Sequence, residues 1–94
     1  MANYTVFDDG KTIKGDARQV LGQLHAESSR DSGEIKKMSL DKYARAVIED
    51  APYFLPRTLL KALEKEKFES EYDRALAYLG QMSTSRVRIL QVTG

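Results

Sequence analysis

The sequence predicts an α+β fold: a small antiparallel sheet, made of an N-terminal hairpin plus a C-terminal strand, packed against three to four helices. Three observations carry this expectation. Residues 4–14 alternate around Asp9-Gly10, the pattern of a tight hairpin. From Asp16 onward, apolar residues recur at helical spacing behind capping residues. Residues 85–92 begin with strict alternation, as in a strand. At 94 residues the chain has room for one core, so residues 1–94 are expected to form a single compact domain.

In the hairpin, Asp9-Gly10 suits a type I′ turn, which needs positive φ at both positions. That turn pairs Asp8 with Lys11, Phe7 with Thr12, Val6 with Ile13 and Tyr4 with Gly15, whereas a G1-bulged loop would shift this register by one. Tyr4, Val6 and Ile13 then share the core face. Asp8 opposite Lys11 sets opposite charges across the strands.

Asp16 is a good N-cap for the first helix, and Gln19 completes a capping-box pattern. Ala17, Val20, Leu21, Leu24 and Ser28 follow at helical spacing. Gly22, inside this helix, costs about 1 kcal/mol relative to alanine. Residues 28–37 are polar and aperiodic and contain Gly33, so they read as a loop. At about ten residues that loop exceeds the usual connection, which implies mobility or a function.

Ser39 caps the second long helix, whose stripe of Leu40, Tyr43, Ala44, Val47, Ile48 and Ala51 is the cleanest in the chain. Pro52 disfavours helical geometry at Ala51 and ends it. The segment from Pro52 to Pro56 is a short apolar corner, with Pro56 suited to the first position of the next helix. Leu59, Leu60 and Leu63 make that helix's stripe. Phe68, Tyr72, Ala75, Leu76 and Leu79 make another stripe, out of phase with the first, so two helices are expected rather than one. Ser70 and Asp73 offer the second of these a capping box. Residues 67–72 also alternate with period two, which leaves a short strand as an alternative there. In the final strand Val87 and Ile89 share one face while Leu90 and Val92 have the other parity. Either the strand bulges or both of its faces are covered.

Composition narrows function mainly by exclusion. At 41% apolar and 31% charged, with net charge +1, the chain is an ordinary soluble globular sequence. Near-neutral charge removes the general argument for nucleic-acid binding. No apolar run approaches the roughly 20 residues of a membrane span. The first residues lack the basic and apolar regions of a secretory signal. The absence of cysteine excludes disulfides and thiolate metal sites and fits a reducing cytoplasm, the expected location.

No motif marks chemistry. Asp8-Asp9-Gly10 lacks the spaced oxygen ligands of a calcium loop, and His25 is the only histidine. Neither a dinucleotide fingerprint nor a phosphate-binding loop occurs, although Ser32-Gly33 before Lys36-Lys37 is a weak anion-binding pattern. A nucleophile would have only His25 as an imidazole base. Runs such as residues 61–67 alternate carboxylates with lysines, the pattern of a solvated helix face. The chain is therefore expected to be non-enzymatic, with no cofactor and no metal.

Two binding readings remain. Arg86 and Arg88 share a strand face, and Lys36, Lys37, Lys42 and Arg45 cluster around the second long helix, which fits a small nucleic-acid-associated regulator. Against it, the helix beginning at Arg57 offers no Asn, Gln or Arg face for base edges. The preferred reading is a protein-interaction module, an adaptor or regulator that binds a protein partner or its own copy. Its candidate residues are Tyr53, Phe54 and Leu55, which serve as rigid interface anchors if the corner is exposed and as core if it is buried. The apolar C-terminal strand is a second route to pairing with another chain.

Overall fold

The computed structural model describes residues 3–82 and 87–92. The hairpin comprises β1 (Asn3–Asp8) and β2 (Lys11–Asp16). Asp9 and Gly10 adopt φ of 48° and 86°, the left-handed geometry that a type I′ turn requires and that glycine accepts without strain. The register is the expected one, with Val6 opposite Ile13, Phe7 opposite Thr12 and Asp8 opposite Lys11. The Lys11 ammonium, however, lies 3.3 Å from Glu27 on the first helix. A long exposed side chain follows the nearer accessible carboxylate, and such a pair contributes little to stability.

β3 (Val87–Val92) pairs antiparallel with the other side of β1, giving a three-stranded sheet in the order β2-β1-β3. Its register runs without interruption from Asp8 opposite Val87 to Asn3 opposite Val92. No bulge therefore separates the two parities seen in the sequence, and Ile89 stands opposite the buried Val6.

Helix α1 (Ala17–Ser29) starts where the sequence places it. The Asp16 carboxylate accepts from the Gln19 amide at 2.9 Å, and the Gln19 carboxamide accepts from the Asp16 amide at 3.0 Å. Helix α3 (Leu40–Asp50) begins at Ser39, whose hydroxyl accepts from the Lys42 amide at 3.2 Å. A 3₁₀ turn (Ala51–Tyr53) follows, then α4 (Arg57–Lys65) and α5 (Glu71–Met82). The two out-of-phase stripes thus become two helices, α4 and α5, and residues 67–70 form no strand between them.

Two expectations need correction. Residues 28–37 are not a loop throughout: Ser28 and Ser29 end α1, and Gly33–Lys36 form a single helical turn, α2. One turn is too short to display a 3.6-residue period, so periodicity does not reveal it. It is held by its cap, with the Ser32 hydroxyl accepting from the Ile35 amide at 3.3 Å. It is also held by His25, whose Nε2 donates to the Ile35 carbonyl at 2.9 Å while its ring packs 4.8 Å from that of Tyr43. Pro56 precedes α4 instead of opening it, with an extended ψ of 149°. The second is a shift of one position at a helix start.

α1 lies against the hairpin and α5 against β3, and these two helices also touch each other. α3 packs across both from the far side, while α4 is peripheral and meets the 3₁₀ turn. The core gathers Tyr4, Val6, Val20, Leu21, Ala44 and Leu76, with Ile13 and Ile89 partly buried against it. Because α5 is contacted by the sheet on one side and by α3 on the other, it buries Tyr78 and Asp73 outside the stripe read from the sequence.

Asp73 is the buried charged residue among those described, at 7% exposure. One of its carboxylate oxygens accepts from the Tyr4 hydroxyl at 2.7 Å and the other from the Ser70 hydroxyl at 2.6 Å. Its own amide donates to the Ser70 hydroxyl at 3.3 Å, closing a cap in which Ser70 is both donor and acceptor. Burial, then the hydrogen bond to Asp73 and its negative charge, push the Tyr4 phenol well above its ordinary value of 10.

Three outcomes follow from this packing. A β-carbon built on Gly22 meets its nearest neighbour, Leu40, only at an ordinary 4.0 Å. Gly22→Ala is therefore expected to stabilise the fold by about 0.5–1 kcal/mol in urea denaturation, since helix propensity rises and no clash opposes it. Tyr4→Phe leaves one Asp73 oxygen without its hydroxyl donor and is expected to cost about 1–3 kcal/mol. The wild type should also lose stability as the pH climbs above 10. There the unfolded chain gives up the Tyr4 proton while the folded chain still holds it. Urea titrations across that range should show a smaller loss for Tyr4→Phe; an equal loss would refute the assignment.

Candidate interaction surface

The corner after α3 is built from its two buried ends. Ala51 is fully buried and Leu55 is 8% exposed. The amides of Phe54 and Leu55 both donate to the Ala51 carbonyl, at 3.0 and 2.9 Å, so the chain reverses within one turn. Pro52 and Pro56 limit φ on either side. With Ala51 and Leu55 turned inward, Tyr53 and Phe54 point outward at 84% and 71% exposure. Of the three candidate anchors, Tyr53 and Phe54 are available to a partner. Leu55 is a core residue instead, because closing the corner on the helical layer uses its side chain.

Phe54 also forms one wall of a groove of about 330 Å³. Ile35 on α2, Met38, Val47 on α3 and Met82 at the end of α5 supply much of its apolar lining. Among the described residues the charged ones lining it are Glu34 and Asp50, both exposed carboxylates. Among the described residues the ion pairs are Lys11–Glu27 and Arg45–Glu71, and neither involves a groove residue. Lys36 and Lys37 belong to the same turn as Glu34 but do not line the groove.

The basic candidates are carried by separate elements. Lys36 lies in α2 and Lys37 caps it, both exposed, on an element packed against α1. Arg88 stands in β3 opposite Phe7, and Arg86 lies outside the described residues. On α3, Arg45 is 3.8 Å from Glu71, and Asp41 accepts from the Tyr72 hydroxyl. That hydrogen bond raises the Tyr72 phenol above its ordinary value.

Two other depressions include groups already engaged. One of about 310 Å³ includes Asp16, Arg18, Ser70 and Asp73. Asp16 is there occupied in capping α1, and Asp73 accepts from two hydroxyls. Another, of about 240 Å³, lies between Tyr4, Leu63, Phe68 and Ile89. The Arg74 guanidinium stacks 4.8 Å from the centre of the Phe68 ring. Among the described residues no group of three or more His, Asp or Glu is placed to hold a metal ion. None of the described helices is long and apolar enough to cross a membrane.

Ile35, Met38, Met82, Glu34 and Asp50 escape sequence reading. Ile35 and Met38 belong to or follow a helix too short to show a period, and Met82 is separated from Phe54 by 28 positions with no pattern linking them. The one signal in the sequence is the capping serine at 32, three residues before Ile35. No protein-family model, curated protein or solved structure matches the chain.

Proposed function

We propose that this chain is a non-catalytic protein-interaction module, an adaptor or regulator that engages a protein partner or a second copy through Tyr53 and Phe54. The observation that carries the reading is the exposure of two adjacent large aromatics, 84% and 71%, on a corner closed by buried residues at both ends. Isolated exposed apolar residues are ordinary, but adjacent ones on a preorganised turn are less so. Aromatic side chains carry much of the energy of typical interfaces. Holding them rigid in advance reduces the entropy lost on binding. A cysteine-free chain also suits a reducing compartment, and we place the module in the cytoplasm on that ground.

The test is affinity co-purification of the wild type and of a Tyr53→Ala/Phe54→Ala variant from source-cell extract, each with and without nuclease. Both side chains lie outside the core, so the variant should retain its fold, with stability within about 0.5 kcal/mol of the wild type. The expected result is a protein partner that survives nuclease and disappears with the double substitution. Sedimentation of the purified chain reports self-association through the same residues. A partner set unchanged by the substitution would overturn the reading. A set abolished by nuclease would favour nucleic-acid association, and with it Lys36, Lys37, Arg86 and Arg88.

A further inference from the structure

We infer that the groove beside Phe54 receives an apolar segment of a partner protein that carries lysine or arginine on its flanks. The inference rests on the interaction-module reading and adds the chemistry of the partner. Its first support is the lining. Both methionines among the described residues, Met38 and Met82, face this one groove, together with Ile35 and Phe54. Methionine is unbranched and polarisable, so a methionine-lined surface adapts to apolar side chains of different shapes. A volume of about 330 Å³ lies at the lower end of small-molecule sites and suits a few side chains of a peptide.

The second support is charge. Among the described residues the groove is lined by two carboxylates, Glu34 and Asp50, and by no basic residue. They come from different elements, α2 and α3, so the acidic character belongs to the groove and not to one helix face. Neither carboxylate has an ion-pair partner among the described residues. An apolar segment with acidic flanks would meet like charge, while one with basic flanks meets complementary charge, which governs selection and encounter more than total affinity. The chain's own basic, leucine-bearing helix α4 is a poor occupant from a second copy. Its Leu59, Leu60 and Leu63 are already packed on their own core.

The experiment uses the full chain and two labelled peptides with the same centre of leucine and phenylalanine. One has two lysines at each end and the other two glutamates. Affinity is read by fluorescence anisotropy, and the site by methyl resonances of Met38 and Met82. The lysine peptide should bind and shift both methyls, and the glutamate peptide should bind about tenfold or more weakly. Asp50→Lys should narrow that difference. It is a safe probe, because a cation at the C-terminal end of α3 suits the helix dipole. Phe54→Ala should weaken the lysine peptide and leave the fold intact.

Equal affinity for the two peptides, no binding of either, or shifts that leave Met38 and Met82 unmoved would each overturn the inference. The two readings fail separately. A cellular partner lost with Tyr53 and Phe54, alongside indifferent peptides, keeps the module and discards the charge preference. A clear lysine preference at the groove, alongside a partner set indifferent to Tyr53 and Phe54, does the reverse.

Discussion

The Tyr4 hydroxyl reaches Asp73 across 69 positions of sequence, and much of the architecture is organised around that contact. A carboxylate buried without partners would cost several kcal/mol, so Asp73 is tolerable only where two hydroxyls meet it. Tyr4 supplies one from the central strand and Ser70 the other from the start of α5. The same serine caps that helix, so the contact that joins sheet to helix also fixes where the helix begins. β1 is thereby paired on both edges and tied through its own side chain to the layer above.

The consequences spread outward through α5. Held at its start by Tyr4 and Ser70, it lies between the sheet and α3 and buries more than one face. α3 in turn sets the corner. The 3₁₀ turn that follows it buries Ala51, and Leu55 returns to the core four residues later, leaving Tyr53 and Phe54 to face solvent. A second clamp, from His25 to the Ile35 carbonyl, holds α2 beside α1 and brings Ile35 towards Phe54 and Met82. The groove is therefore a by-product of two polar ties, each made by a side chain that does not line it.

Much of the fold is legible in the order of residues alone. Asp9-Gly10 specifies the hairpin register because positive φ at both positions admits few sequences. Asp16 and Ser39 locate two helix starts because a capping oxygen satisfies an amide that has no other partner. The stripe from Leu40 to Ala51 marks its buried face because one helix packing on a core needs only one face. The misses have equally local causes. α2, at four residues, is too short to repeat the helical period, and Tyr78 lies off a stripe that assumes a single buried side for α5. Asp8 does face Lys11 as the turn requires, while the Lys11 ammonium reaches Glu27 because exposed pairs are weakly constrained.

At the candidate surface the division is sharper. Sequence alone identified the two prolines, the apolar residues between them and the turn they form, since proline restricts φ wherever it occurs. Which of Tyr53, Phe54 and Leu55 faces inward depends on the phase at which α3 ends over α5, a property of packing between helices. The groove depends still more on tertiary structure, because Glu34, the Asp50–Phe54 corner and Met82 come from three separate stretches of chain. Local chemistry determined the elements and their caps, since those interactions are short-range and written in neighbouring residues. Only the tertiary structure decided exposure and the meeting of distant side chains, because those depend on how whole elements share one buried volume.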